Sequence, residues 1–224
     1  NLDIVKLIFN IPAVNFDVRD NKSRTLLHEA CYNEHYELVK FLVETERVDI
    51  LAKDKDGCTA LHESSYNHQI IQYLISLNKF DVNDKNKEGN TIFLQAAYAG
   101  NAHAIKYLAS IPEVDITVQN KNGLNALHYL ISKNNLSLVQ FLVGLNKIPL
   151  NQVDRNKNTL LHFACENKST KILKYLVEFN EINLNAVNKY KETLLHITCN
   201  SGYLENTKYL ISLNKIDIAA KDIE

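Results

Sequence analysis

The stretch TLLHFACENKSTKILKYLV, residues 159–177, contains two phrases that recur along the 224-residue chain. The first phrase, Thr159–His162, has six copies, which begin at residues 25, 59, 91, 125, 159 and 193. The second phrase keeps the same register, and its copies contain Phe41, Tyr73, Tyr107, Phe141, Tyr175 and Tyr209. Because successive copies of the first phrase are 32 or 34 residues apart, the sequence predicts an array of small structural repeats.

Each repeat is predicted to be a pair of short helices. The first phrase opens a short apolar segment, a polar break follows, and the second phrase spaces its apolar residues along one helical face. Polar tips such as Asp54–Gly57 and Asn120–Gly123 separate the repeats, and their glycines can take the positive φ of a tight turn. A single repeat cannot bury its apolar face alone, so successive repeats must stack. The sequence therefore predicts an all-α solenoid of stacked helix-turn-helix units with hairpin-like connections.

The repeat resembles the ankyrin repeat in its period, in its T-P-L-H-x-A phrase and in its order of a turn followed by two helices. The resemblance covers nearly the whole chain, and we predict a single ankyrin-repeat domain over residues 1–224. Its full repeats are 20–53, 54–85, 86–119, 120–153, 154–187 and 188–221, with partial repeats at 1–19 and 222–224. Residues 4–9 match a second helix, Lys221 starts a further tip, and methionine is absent, so we expect a longer parent protein.

Several positions depart from the family pattern. Proline never follows the opening Thr or Asn, so the fixed φ that proline supplies at a helix start is absent. Ser23, Lys157 and Lys191 replace the tip glycine, which implies either a strained or a rearranged turn. The second repeat lacks two residues between its helices, and the third repeat has Leu94 where the family has histidine.

Charge and composition exclude several classes of function. The formal net charge is −1 and the pI is near 6.8, which removes the long-range attraction that a nucleic-acid or anionic-membrane binder would use. No uncharged apolar stretch approaches the roughly 20 residues that span a bilayer, so we expect a cytoplasmic protein without membrane insertion. The four cysteines include no CxxC pair, so we expect reduced thiols and no zinc site.

The histidines are predicted to be structural. Five of the eight share one repeat position: His28, His62, His128, His162 and His196. The ankyrin resemblance implies that this imidazole bonds the nearby Thr hydroxyl and the backbone of adjacent connections. Two copies begin the HExxH pattern of zinc proteases, but tyrosine stands at the fifth position in both, and no GxSxG, P-loop or GxGxxG motif occurs. We therefore expect no catalytic, cofactor-binding or metal-binding residues and no enzyme activity.

The best candidates for partner binding are aromatic residues on the first helices. By family resemblance the position of Tyr32, Tyr66 and Tyr98 faces a concave groove, and tyrosine suits an interface because its apolar ring carries a polar tip. Tyr129 and Phe163 either extend this band or pack between neighbouring repeats. A basic residue also marks every tip, and it either is a solvated surface group or steers an acidic partner. These residues are Lys22, Lys55, Lys87, Lys121, Arg155 and Lys189.

These observations predict a non-catalytic protein-protein interaction module. We expect a monomer that binds a protein partner through a concave groove of hairpin tips and first helices. The alternative is a regulatory or targeting ankyrin arm of a larger multidomain enzyme, channel or effector.

Overall fold

The computed structural model describes residue 11 and residues 15–220, and the chain divides into two compact units. The first unit is Asn1–Asp115 and the second is Ile116–Glu224. The predicted helix at residues 4–9 and the predicted tip at Lys221 lie outside the described residues. Every regular element within residues 15–220 is a helix, which confirms the all-α prediction.

The described part of each unit contains three helix pairs. In the first unit they are α1 (Leu26–Tyr32) with α2 (Tyr36–Glu44), α3 (Ala60–Glu63) with α4 (His68–Ser76), and α5 (Ile92–Ala99) with α6 (Ala102–Ser110). A 3-10 helix, Ser64–Tyr66, follows α3 directly. In the second unit they are α7 (Ala126–Ser132) with α8 (Leu136–Gly144), α9 (Leu160–Glu166) with α10 (Thr170–Val177), and α11 (Leu194–Asn200) with α12 (Leu204–Ser212). Within each unit the members of a pair pack together, and the first helices of successive repeats pack side by side.

The recurring Thr-x-x-His phrase begins four of the six described first helices through a small hydrogen-bond network. The backbone N–H of Thr25 donates to Nδ1 of His28 at 3.2 Å, and the Thr25 hydroxyl lies 2.8 Å from the same nitrogen. Because Nδ1 accepts, the ring proton is on Nε2, which donates to the Cys58 carbonyl oxygen in the next tip at 3.0 Å. His62 and His162 make the same type of bond to a carbonyl of the following tip. The predicted structural role of these histidines is thus confirmed.

The core of each unit repeats two apolar positions. The first helices of the first five repeats each contribute a buried side chain at one position: Leu27, Leu61, Phe93, Leu127 and Leu161. The second helices contribute another: Leu42, Leu74, Leu108, Leu142, Leu176 and Leu210. Fully burying one such side chain contributes about 1.5–3 kcal/mol, so stacking supplies the stability that a single repeat lacks. Leu94 is also fully buried, so the third repeat has apolar packing where the others have the histidine network.

The tips that lack glycine keep the same turn as the others. Ser23, Lys157 and Lys191 have φ values of 61°, 61° and 59°, in the left-handed region that the tip glycines also occupy. The turn-closing bond is retained, because the backbone N–H of Lys157 donates to the Asp154 carbonyl oxygen at 3.0 Å. These three turns are therefore strained and not rearranged.

The shortened second repeat ends its first helix differently from the others. A left-handed residue lies between the two helices in five repeats, namely Glu34, Gly100, Asn134, Lys168 and Gly202. The second repeat has none and passes through the 3-10 helix Ser64–Tyr66, which rises about 2.0 Å per residue against 1.5 Å in an α-helix. Fewer residues therefore span the same distance. The Asn67 side chain then caps α4 by accepting the backbone N–H groups of Gln69 and Ile70.

One core position of the last repeat carries a polar side chain. Asn206 in α12 is 1% exposed, while the preceding repeats have apolar side chains there, as Leu138 and Ile172 illustrate. Its Oδ1 accepts a hydrogen bond from the Thr170 hydroxyl at 2.6 Å. Its Nδ2 has no partner among the described residues. A buried donor without an acceptor costs about 1–3 kcal/mol, so this position weakens the second unit.

Replacing Asn206 by leucine should stabilise the chain. We expect the free energy of unfolding to rise by about 1–2 kcal/mol, because leucine removes the unpaired donor and adds apolar contact. Thr170 is half-buried and can bond water instead. Urea unfolding followed by circular dichroism measures the change, with Asn200→Leu, an exposed site at the end of α11, as the matched control. A loss of stability in Asn206→Leu alone would show that the Thr170 bond outweighs the unpaired donor.

Candidate protein-binding surface

Three exposed tyrosines occupy one repeat position in the first unit. Tyr32 ends α1, Tyr66 ends the 3-10 helix, and Tyr98 lies in the last turn of α5. Their exposed fractions are 52%, 47% and 54%, although the residue before each of them is buried. We call these three residues the tyrosine face. This exposure is consistent with the prediction that the three side chains are available to a partner. Packing within the core would not leave three aromatic rings exposed.

A hydrogen bond from the next repeat holds the central tyrosine in place. The Asn101 side chain donates from Nδ2 to the Tyr66 carbonyl oxygen at 2.8 Å and lies 3.2 Å from the Ser65 carbonyl oxygen. Its Oδ1 accepts the backbone N–H of Ala104 and so caps α6. One side chain therefore fixes the turn that presents Tyr66 and the start of the following helix. A preorganised ring loses less conformational entropy on binding.

The Tyr66 hydroxyl lies in an environment that opposes its ionisation. Burial raises the pKa of Tyr66 above its ordinary value, and the neighbouring Tyr98, Tyr32 and Glu63 raise it further. The Tyr66 hydroxyl therefore stays protonated at neutral pH. It can donate a hydrogen bond to a partner as well as accept one.

Two glutamates precede the tyrosines by one helical turn, and only one of them is paired. Glu29 bonds the guanidinium of Arg24 at 2.7 Å, and Arg24 also bonds Asp20 at 2.9 Å. Glu63 is half-buried, and its side-chain carboxylate has neither a hydrogen bond nor an ion pair with any described residue. Burial raises the pKa of its carboxyl group, and the negative charge of Asp54 adds to this effect. The face thus contains one carboxylate without a counter-ion in contact.

The sequence interpretation missed a cluster that forms beside Glu63. Asp54, Cys58 and Glu63 place potential ligand atoms within 4.8 Å of one another. However, Asp54 Oδ1 already accepts the backbone N–H groups of Asp56 and Cys58, which shapes the tip. Burial raises the pKa of the Cys58 thiol to about 11, so the thiol stays protonated at neutral pH. These features are those of a closed turn with a buried thiol. The sequence spacing of Asp54, Cys58 and Glu63 matches no metal-binding motif, so the sequence contains no signal for the cluster.

In the second unit the aromatic candidates contact their own surroundings. The Tyr129 hydroxyl accepts a hydrogen bond from Asn120 Nδ2 at 2.8 Å, which ties the first helix to the tip of the same repeat. Phe163 meets His128 edge to face, with ring centroids 4.9 Å apart. Both side chains are half-buried. The structure does not give them the exposure of the tyrosine face, and these contacts favour the packing interpretation.

His128 departs from the histidine network at one of its two ring nitrogens. Its Nδ1 accepts the backbone N–H of Asn125 at 3.1 Å, as in the other histidine repeats, and also lies 2.7 Å from Asn125 Oδ1, which accepts the backbone N–H of His128. Because Nδ1 accepts, the ring proton is on Nε2. That N–H is buried without a partner among the described residues, whereas Nε2 of His28 bonds a carbonyl oxygen of the next tip. Burial lowers the pKa of His128 to about 4.

The basic tip residues are all exposed, and their backbones join successive tips within each unit. The Lys55 N–H donates to the Lys22 carbonyl oxygen at 2.8 Å, and the Lys87 N–H donates to the Asp56 carbonyl oxygen at 2.8 Å. In the second unit Arg155 donates in the same way to Asn122. The side chains of Lys55, Lys87, Lys121 and Arg155 extend from a turn whose backbone is fixed. They are accessible to an acidic group of a partner.

Comparison with known families settles the origin of the repeat. A family model described as ankyrin repeats (3 copies) matches residues 1–86, 64–154 and 131–222. The chain belongs to the ankyrin repeat family. Ankyrin repeats generally mediate protein-protein interaction and are typically non-catalytic. No curated protein gives a significant match to this ankyrin sequence.

Solved structures include chains with a similar fold. One is a chain from the complex of the predatory endopeptidase Bd0816 from Bdellovibrio bacteriovorus with immunity protein Bd3460. The TM-score is 0.74 and the sequence identity is 20%, with 87% of this chain and 99% of that chain covered. At this identity the likeness concerns the fold alone. None of the helices in the described part of the ankyrin chain is long and apolar enough to cross a membrane.

Proposed function

We propose that this ankyrin chain is a non-catalytic protein-binding module that contacts its partner through a concave groove of hairpin tips and first helices. The observation that carries the proposal is the exposure of Tyr32, Tyr66 and Tyr98 at one repeat position. Large side chains left about half exposed at the same place in three successive repeats need an explanation other than the core. Tyrosine is among the residues that most often anchor protein interfaces.

The tips supply the polar part of the proposed interface. Lys55 and Lys87 are exposed in the same unit as the tyrosine face, on tips whose backbones are hydrogen bonded to the preceding tip. Lys121 and Arg155 hold the corresponding positions in the second unit, where Tyr129 and Phe163 are less exposed. Rim charges of this kind mainly set the association rate and the salt dependence of binding. We therefore place the anchors on the tyrosine face and assign a steering role to the tips.

In this proposal the chain acts in the cytoplasm as a monomer and binds no nucleic acid. A net charge of −1 supports the last point, because it offers a polyanion no overall attraction. The related fold occurs in a complex of an endopeptidase with an immunity protein, which is consistent with binding to another protein. The second candidate remains a regulatory or targeting arm of a larger enzyme, channel or effector. The same tyrosine face would then contact another domain of its own protein.

Replacing Tyr32, Tyr66 and Tyr98 together by alanine should separate binding from folding. After a partner is isolated with the immobilised chain, we expect the triple variant to bind it at least about tenfold more weakly, or about 1.4 kcal/mol. The melting temperature should stay near that of the parent, because the three rings are largely outside the core. Calorimetric titration and thermal unfolding measure the two properties.

The control for this experiment is Ile211→Ala. Ile211 is 53% exposed on α12, a second helix of the second unit, so it matches the exposure of the tyrosine face but lies outside the proposed groove of tips and first helices. It should change neither binding nor folding. Unchanged affinity of the triple variant with intact folding would move the binding site away from the tyrosine face. Loss of folding would reassign the tyrosines to packing.

A further inference from the structure

The unpaired carboxylate of Glu63 indicates the chemistry of the partner. Glu63 ends α3 and lies three residues before Tyr66, so the two side chains share one side of the helical turn. Arg24, the cation with the largest influence on Glu63, is already paired with Asp20 at 2.9 Å and with Glu29 at 2.7 Å. No described residue forms a hydrogen bond or an ion pair with the side-chain carboxylate of Glu63. A half-buried carboxylate is costly in this state, and a cation supplied by a partner would relieve the cost.

The surroundings of Glu63 are mainly negative at short range. Asp54 lies in the same cluster, with its carboxylate within 4.8 Å of that of Glu63, and Glu29 adds a further negative charge. Lys22 and Arg24 act in the opposite direction on Glu63. Neither of them contacts it within ion-pair distance. The Glu63 carboxylate therefore lacks a cation at ion-pair distance. Positive charges farther away do not replace such a contact.

The tyrosine rings add a second preference for a cation. This chain places lysine ammonium groups over tyrosine rings elsewhere, with Lys40 4.8 Å from the centre of Tyr36 and Lys168 4.7 Å from that of Tyr203. Among the described residues no cation lies over Tyr66 in this way. Arginine suits the site better than lysine, because its planar guanidinium can stack on a ring and bond a carboxylate through two N–H groups at once.

We propose that the tyrosine face binds a partner segment through an arginine side chain that stacks on Tyr66 and pairs with Glu63. The proposal rests on the proposed protein-binding function and names the partner side chain that the face accepts. The occupant is a polypeptide segment with an exposed arginine, chosen by charge complementarity to Glu63 and Asp54. Acidic segments would be repelled by the same carboxylates and are directed to the lysine-bearing tips instead.

A peptide titration tests the proposal directly. The probe is an acetylated, amidated pentapeptide with one arginine between pairs of alanines, and the control peptide has citrulline, a neutral isostere of arginine, at the same position. Amide chemical shifts of the labelled chain are followed by NMR. We expect the arginine peptide to perturb residues 63–66 with a dissociation constant in the millimolar range and the citrulline peptide to bind at least about fivefold more weakly. Equal binding of the two peptides, or no perturbation of residues 63–66, would overturn the proposal.

Two variants separate this proposal from the proposed function. Glu63→Gln should weaken binding of the arginine peptide at least about fivefold while the spectrum stays that of a folded chain. Glu44→Gln, an exposed carboxylate at the end of α2, should leave it unchanged. If Glu63→Gln binds the arginine peptide as tightly as the parent, the arginine proposal fails, and the Tyr→Ala experiment still decides the proposed function. If the triple tyrosine variant keeps full affinity for its protein partner, the proposed function fails as well.

Discussion

Replacing Gly123 by alanine should destabilise the chain by about 2–4 kcal/mol, which we expect to be the largest effect of any single methyl group added to a tip. Gly123 has a φ of +77°, and a Cβ atom there would lie 2.9 Å from both the Asp154 Cα atom and the Val153 carbonyl oxygen. Both neighbours are backbone atoms of the next tip. That tip is bound to the same turn, because the Arg155 N–H donates to the Asn122 carbonyl oxygen at 2.9 Å. Neither tip can move away without losing this bond.

Gly202→Ala is the matched control for the close approach. Gly202 has a φ of +68°, but nothing lies within 4 Å of the position of an added Cβ atom. Only the backbone strain remains, so we expect a loss of about 1 kcal/mol or less. Urea unfolding of both variants, followed by circular dichroism, measures the difference. Equal losses would show that the tips can separate to admit a methyl group.

The recurring phrases explain why the architecture could be predicted from the sequence. The Thr-x-x-His phrase sets the start of a first helix through its own hydrogen bonds, as Thr25 and His28 show. The apolar positions that follow at helical spacing, such as Leu27, are the ones that the structure buries. Both features depend on residues close together in sequence. Because the repeats are so similar, the same apolar positions pack between neighbouring repeats within each compact unit.

Strain at the tips could be predicted only as one of two alternatives. Lysine at a position that needs positive φ either adopts the strained left-handed conformation or forces a different turn. The sequence does not show which of the two conformations has the lower free energy. At Lys157 the turn is held by Asp154, whose Oδ1 accepts the N–H groups of Asn156 and Asn158 at 2.8 Å. These bonds outweigh the strain. The turn therefore keeps the shape that glycine gives elsewhere.

The environment of the candidate site could not be predicted in the same way. Tyr66 lies on a 3-10 turn because two residues are missing from its repeat, and Asn101 of the next repeat holds that turn. The Glu63 carboxylate lacks an ion-pair partner because Arg24 pairs with Asp20 and Glu29 instead. Both facts arise from contacts between repeats. A pattern within one repeat carries no information about them.

The loss of one hydrogen bond at His128 also arises between repeats. His128 keeps the bond from the backbone N–H of residue 125, yet its Nε2 is buried without a partner among the described residues. In His28 and His162 the same nitrogen bonds a carbonyl oxygen of the next tip. The phrase within one repeat does not indicate whether that contact forms.

Lowering the pH from about 6.5 to about 4 should destabilise the chain markedly. Burial lowers the pKa of His128 from 6.5 to about 4 in the folded chain, so between these values the unfolded chain binds a proton that the folded chain does not. Stability is therefore complete above pH 6.5 and is lost as the pH falls. His128 alone accounts for about 3 kcal/mol across this interval. Burial also lowers the pKa values of His28, His62 and His162, which act in the same direction.

His128→Leu isolates the contribution of one buried ring to this acid sensitivity. Leucine is fully buried at the same repeat position in the third repeat, as Leu94, so the fold accommodates it. We expect the free energy of unfolding of the variant to fall by about 3 kcal/mol less than that of the parent between pH 6.5 and 4. The exposed His35, replaced by glutamine, serves as the control and should leave the pH dependence unchanged. Urea unfolding at steps of half a pH unit measures the slope. An identical slope in His128→Leu and the parent would show that the ring is protonated without loss of the folded state, which its buried position between Asn125 and Phe163 makes unfavourable.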